Sequence, residues 1–570
     1  MQQHLNRIAF WVIAVTVLAS CTKEIDQEYN PGGATVESLF KTPEGFEAAV
    51  TATYTYNRNL YGKEEGHALL EAGTDLWTNA AFNGSTGING IFPNTPLTTY
   101  QSLISDNVWI NNNLWVPCYN AINLCNMALK YIDEAGLSAA RRPAAEAELR
   151  FMRAWYYWHL VESFGPVNFT LEPTESMVTT ANRTPVDTVY RQIFSDLQFA
   201  AANLPASSTD YGRVTKPAAE AFLARLYLTR GHNQEASNHA ISVIRNYGFS
   251  LLSDYADLWK MENEKNPEVV WALNYSSNYA LNAGSNESHS MYLMNYAELP
   301  GMMRDVANGL DNVRWMPTLF LLDLFDESND ARYNASFKQA WIANNTDAAS
   351  YPVWTQEEVA QNPALAPLLG QPKFAIGDTA VWITKHPVDD YQQHYTTRYR
   401  YRTYDRNDVY GADGTPKDRF HYISLKKFDD PTRASATQTE SARNVFLIRL
   451  AEMYLVAAEA QMKMGRPDSA AIYLNAVRKR AALPGREANM MVEPGSIDID
   501  LILDERAREL AGEQLRWFDL KRSGKLLERV KAHNPDAAAY IQPFHQLRPI
   551  PQAQLDAVTN KGEFRQNDGY

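Results

Sequence analysis

Only three cysteines occur in 570 residues, Cys21, Cys118 and Cys125, too few for a disulfide framework. There is no CxxC and no HExxH, so no zinc-type ligand set is readable. A Gly-x-Ser-x-Gly elbow and a phosphate-binding glycine loop are also absent. Basic residues are in the minority: 53 Lys and Arg stand against 66 Asp and Glu, a net charge of −13. That balance argues against a nucleic-acid partner, which needs a clustered positive surface. Long apolar runs are missing too. The stretch Ile8 to Ala19 has 12 residues and would reach about 18 Å as a helix. The hydrocarbon core of a bilayer is about 30 Å thick, so this is no membrane span.

What the first residues do contain is a secretory pattern. His4 and Arg7 form a weakly positive start, Ile8 to Ala19 an apolar centre, and Val17-Leu18-Ala19-Ser20-Cys21 the end. This resembles a bacterial lipobox, with Cys21 as the first residue of the mature protein and the site of lipidation. Residues 1–20 are then a signal peptide, and 21–34 an anchor and tether ending in Pro31-Gly32-Gly33. A plain secretory signal is the alternative. One acyl chain holds a protein only marginally, whereas the three of a mature lipoprotein hold it firmly. Lys23, Glu24 and Asp26 resemble the short charged signal that directs lipoproteins of the Bacteroidota to the outer face of the outer membrane.

The remaining 35–570 are expected to form one mostly α domain. Helical patterning runs over about 42–252 and resumes at Val445, to about 530. Pro43 to Tyr61 and Asn113 to Ile132 are amphipathic, and Pro143 opens a long helix stopped by Gly165-Pro166. Pro185 opens the next. Ala224, Gly231, Ala236 and Val243 recur at a constant offset as Ala458, Gly465, Ala470 and Val477. Each set reads as helix, turn at the glycine and second helix, with small residues where the two approach. That is the tetratricopeptide (TPR) type of pairing, with ordinary helical hairpins as the alternative. Between the helical blocks, about 253–444 is rich in Asn, Tyr, Pro, Gly and Asp. One helix, Pro317 to Phe325, and strand-like runs at Val269–Leu273 and Val381–Ile383 interrupt it. Long loops on a rigid scaffold are where binding surfaces are often built.

The chain resembles the SusD/RagB family of outer-membrane nutrient-binding lipoproteins. Arg153-Ala154-Trp155-Tyr156-Tyr157 with Phe164-Gly165-Pro166-Val167 carries the resemblance, as do Gly212 to Lys216 and Arg314 to Arg332. So do Arg449 to Leu455, Glu505-Arg506, Arg516 to Arg522, Pro549-Ile550-Pro551 and Gln566 to Tyr570. Asp568 stands where the family commonly has proline. The resemblance implies four TPR-like helix pairs and a SusC-like, TonB-dependent transporter as partner. It implies glycan cargo handed to that transporter, an outer-membrane location facing the cell exterior, and no enzymatic activity. A peptide cargo of the RagB type and a surface glycoside hydrolase are the alternatives. Arg153, Arg516 and Asp519 are expected to be structural.

Sugars are held by aromatic rings against their C–H faces and by polar groups at their hydroxyls. Trp77, Phe82, Tyr292 and Trp315 are the expected platforms, with Asn79, Asn83 and Arg304 on hydroxyls. Tyr391 to Asp405, dense in tyrosine and arginine around His394, is a candidate second wall. No cofactor is expected. Asp323, Asp326, Glu327 and Asp330 could ligate calcium, though they lack the EF-hand glycine and spacing. Cys118 and Cys125 would share one helix face as small core residues.

Overall fold

The computed structural model describes residues 39–81, 95–282, 284–388 and 400–570. The first helical block contains α1 (Pro43–Thr55), α2 (Glu64–Leu70), α3 (Val116–Tyr131), α4 (Arg141–Phe164), α5 (Val186–Asn203), α6 (Lys216–Thr229) and α7 (Asn233–Asn246). The second contains α8 (Leu450–Lys463), α9 (Pro467–Arg480), α10 (Ile499–Leu510) and α11 (Arg516–Arg522). Their boundaries follow local chemistry. The Thr42 hydroxyl caps α1 by accepting from Gly45 N–H, with Pro43 in the first turn. Gly165 ends α4 at φ +71°, where a side chain would be strained. Helix α4 begins at Arg141, two residues ahead of Pro143.

Helices α3 to α9 pack in series, each against the next, so that α7 lies on α8 although some 200 residues separate them in the chain. The two halves of the repeat noted in the sequence are the helix pairs α6–α7 and α8–α9 on either side of this contact. Ala224, Ala236, Val243, Ala458, Ala470 and Val477 are all fully buried. Gly231 and Gly465 make the two turns at φ +77° and +69°. The centre of the stack is α4, whose residues from Phe151 to Phe164 are all buried. The Trp155 ring lies 4.8 Å from those of Phe222 and Trp271, and its indole N–H donates to Asn57 Oδ1 at 2.8 Å. Cys118 and Cys125 are buried in α3 as free thiols, and burial pushes both up in pKa.

Residues 253–444 are irregular, with short strands. β1 (Trp77–Asn79) pairs antiparallel with β3 (Trp315–Pro317), and β2 (Val269–Leu273) with β9 (Val445–Arg449). β4 (Phe337–Lys338) pairs with β8 (Ser424–Leu425), and β5 (Ala340–Ile342), β6 (Thr379–Ile383) and β7 (Arg402–Tyr404) form one sheet. Two sequence expectations shift here. Val445 to Arg449 is a strand, and helix resumes only at Leu450, because Val445-Phe446-Leu447-Ile448 is apolar and β-branched enough to pair with β2. The expected helix Pro317 to Phe325 shrinks to Leu319–Asp323, capped by Thr318, since Trp315 to Pro317 is taken by β3.

Arg153, Arg516 and Asp519 hold the scaffold, as expected. Arg153 pairs with Asp196 at 2.8 Å, Arg516 with Asp75 at 2.6 Å, and Asp519 with Arg506 at 2.7 Å, all buried. Among the described residues no helix is long and apolar enough to cross a membrane.

Candidate functional site

Four separate segments meet in a ledge on the loop-rich part of the molecule. The Ala80 N–H donates to Arg314 O (3.0 Å), Ala81 N–H to Arg419 O (2.9 Å), Asn295 N–H to Phe420 O (2.9 Å) and Arg314 N–H to Met291 O (2.9 Å). Side chains lock the same joint. Arg419 bridges Asn79 O (2.6 Å) and the Asp536 carboxylate (2.7 Å), while Arg314 pairs with Glu64 at the start of α2 (2.7 Å). Val313, between Asn312 and Arg314, has φ +54° and a fully buried side chain. A β-branched residue is strained there, at a cost of order 1–3 kcal/mol. The surrounding bonds hold that strain beneath the ledge.

The ring that the ledge presents is Phe420, 43% exposed. Beside it the His421 ring stacks on Tyr404 of β7, centroids 4.5 Å apart and planes 11° from parallel. Asp418 accepts from His421 Nδ1 at 2.7 Å and from the Phe420 and His421 N–H groups. Burial pushes that carboxyl up, but the His421 bond and the two N–H groups outweigh it, so Asp418 lies below the ordinary aspartate value. It is an ionised acceptor next to an exposed ring, the combination a sugar face and its hydroxyls require.

Of the expected platforms, three are corrected. Trp77 and Trp315 are fully buried on the paired strands β1 and β3, and Tyr292 is 1% exposed. Trp77 and Tyr292 meet edge to face with centroids 4.6 Å apart, and the Trp77 N–H donates to Glu71 (3.2 Å). Tyr292 OH meets His67 Nδ1 at 2.8 Å, and burial pulls His67 down to about 3, so that histidine is neutral. These rings are core because strand pairing and the short route from α2 to β1 leave them no solvent side. Asn79 is half-buried and its Oδ1 accepts from Thr98 (2.9 Å). Arg304 stays partly exposed while paired with Asp311 at 2.6 Å. Phe82, Asn83 and Cys21 lie outside the described residues, as do 391–399 of the candidate second wall. The end of that wall is described, and it supplies Tyr404.

Phe420 and His421 are not singled out by the sequence. They sit in Asp418-Arg419-Phe420-His421-Tyr422, and no periodicity says which of those three rings faces outward. Tyr422 is buried and Phe420 is not.

The calcium cluster is dispersed. Asp323 pairs with Arg406 (2.6 Å), Glu327 with Lys385 (3.2 Å), and Asp330 with Arg332 (2.8 Å), while Asp326 accepts from Ser328 and Asn329. Among the described residues no three metal-ligating side chains are grouped.

The family model described as the SusD family matches residues 267–570, more than half of the chain. The chain belongs to the SusD family. A second model, described as starch-binding associating with outer membrane, matches 72–228. The SusD-like protein P25 of Formosa agariphila is 26% identical over 99% of both chains. A laminarin binding SusD-like protein superposes with a TM-score of 0.67 at 23% identity, over 93% of this chain and 100% of the other. The surface glycan-binding protein A from Bacteroides thetaiotaomicron in complex with laminarihexaose gives 0.64 at 20% identity, over 92% and 99%. The SusD fold, mostly α with short strands, therefore extends over nearly all of this chain.

Proposed function

We propose that this SusD-family protein captures oligosaccharides at the cell surface and delivers them, unchanged, to a TonB-dependent outer-membrane transporter. The observation that carries the reading is the exposed Phe420 ring beside ionised Asp418, on a ledge held by backbone bonds between four segments. Names of relatives point the same way: two structures of this fold are a laminarin binder and a complex with laminarihexaose. Asn79 adjoins Ala80 on one of the joined segments, and Phe82 and Asn83 follow directly from Ala81 in the sequence. Cys21 is the proposed acylation site, which puts the anchor at the N-terminus of the mature protein.

The reading is tested by incubating the protein with a panel of glycans and measuring both retention and new reducing ends. Retention without reducing ends is expected, and Phe420→Ala should lose affinity with its melting temperature unchanged. Reducing ends released steadily, and abolished by one carboxylate substitution, would make the protein a hydrolase instead.

A further inference from the structure

Away from the ledge, a cleft of about 250 Å³ opens between α1, the turn at 210–213 and the chain after β2. Tyr54, Tyr211 and Trp271 border it, and each ring is fixed through its polar atom. Trp271 donates to Gly212 O (3.0 Å), Tyr54 OH to the Glu148 carboxylate (2.7 Å) and Tyr211 OH to Glu264 O (2.9 Å). Leu281, 65% exposed, extends the apolar rim.

Arg58 gives this cleft a chemical preference. A guanidinium has five N–H donors and a permanent charge. Nε and Nη2 of Arg58 donate to Asn274 O at 3.3 and 2.8 Å, and Nη1 donates to Leu281 O at 3.1 Å. Both acceptors are neutral carbonyls. Two donors are left over; the guanidinium lies over the Tyr275 ring, 5.4 Å from its centroid, and among the described residues no carboxylate pairs with this arginine. Burial lowers its pKa, and the Tyr275 phenol alone opposes that. Arg213, across the same cleft, shows the contrast: Glu148 (2.8 Å) and Asp210 (3.1 Å) neutralise it. Asp210 remains largely exposed, an acceptor for a hydroxyl. Planar anions such as carboxylates match the donor fork of an arginine, and tetrahedral sulfate esters also do.

We propose that this cleft is a second sugar subsite, and that it takes an anionic residue, a pyranose bearing a carboxylate or a sulfate ester whose charge rests on Arg58. The proposal builds on the glycan-capture reading and adds to it a position where charge is required. The ledge has no such requirement, since its exposed ring accepts a neutral face.

Isothermal titration of the purified protein with methyl glucuronide, glucose 6-sulfate, methyl glucoside and inorganic sulfate tests it. At least one charged sugar should bind tenfold or more tightly than methyl glucoside, and its advantage over the other charged sugar identifies the anion. Half-molar NaCl should erase that advantage. Arg58→Gln should remove it, and Arg58→Lys should keep part of it. If Arg58→Gln lowers the melting temperature, the comparison of sugars on the unaltered protein still decides. Equal affinity for charged and neutral sugars would overturn the subsite, and so would inorganic sulfate binding as tightly as the charged sugars. A protein that retains neutral glycans but shows no preference for charge loses this subsite alone. One that retains no glycan of either kind loses the capture reading as well.

Discussion

The helical stack and the loop-rich region are held together by different chemistry. In the stack, backbone groups are satisfied within each helix, and adjacent helices meet through small side chains, Ala224 and Ala236 in one pair and Ala458 and Ala470 in the other. Outside its short strands the loop-rich region offers carbonyls no ladder to join, and buried peptide groups need partners. Arginines supply them. Arg433 donates to the carbonyls of Asp430, Gln438 and Val306, and Arg443 to those of Trp259 and Asp429. Where the two regions join, the network becomes ionic. Arg332, Arg449 and Arg480 converge on Glu509, which is fully buried. An irregular chain thus keeps a definite shape through long cationic side chains, while helices do so by packing.

That contrast can be broken most sharply at Glu509. Glu509→Ala leaves three buried guanidiniums short of a carboxylate, and a loss of about 3–5 kcal/mol is expected in urea denaturation. The same network should fail in acid. Glu509 and Glu459 are held at about 2 although burial alone would raise them, because Arg480 and Arg449 face the first and Arg522 and Lys463 the second. Folded values below the unfolded 4.5 mean stability that is present above that pH and lost as pH falls towards 2. A melting temperature flat between pH 5 and 2 would show that these carboxylates do not hold the joint.

Trp77→Ala comes next, at about 3–5 kcal/mol, as for a fully buried aromatic. Unchanged melting with lost glycan retention would return Trp77 to the surface. In the stack, Ala458→Leu should cost about 1–3 kcal/mol by overpacking the approach of α8 and α9. A substitution there that costs more than Glu509→Ala would reverse the comparison. The smallest stability effect belongs to Phe420→Ala, within about 0.5 kcal/mol. Its affinity loss should be about 1–3 kcal/mol by analogy with bases stacked on aromatic side chains.

Much of the scaffold is legible in the chain itself. The constant offset between Ala224–Val243 and Ala458–Val477 identifies both helix pairs, because small residues at fixed spacing are what close helix packing demands. Val269–Leu273 and Val381–Ile383 are legible as strands from their β-branched and aromatic runs. Val445–Arg449 reads wrongly as helix, since an apolar run leading into a helix looks the same whether its first turn is helix or strand. Its partner, Val269–Leu273, lies about 175 residues away. The aromatic site is the least legible part. A tryptophan that stacks on a sugar and one that fills a core have the same composition around them, and for Trp77, Tyr292 and Trp315 that composition points to the wrong side.

Periodicity, spacing and residue type are local in the chain. They are enough to specify the mostly α class and the helix pairs, while the family and the structural roles of Arg153, Arg516 and Asp519 are readable through the resemblance of the motifs that carry them. They say nothing of which rings are exposed, which carboxylates are already neutralised and which cation lacks a counter-charge. Exposure and pairing arise only on folding, because they depend on segments far apart in sequence. Phe420 faces solvent because Asn295 and Ala81 bind the backbone on either side of it. Arg58 keeps its charge without a counter-ion because the fold brings it two carbonyls, from Asn274 and Leu281, and the Tyr275 ring, but no carboxylate among the described residues.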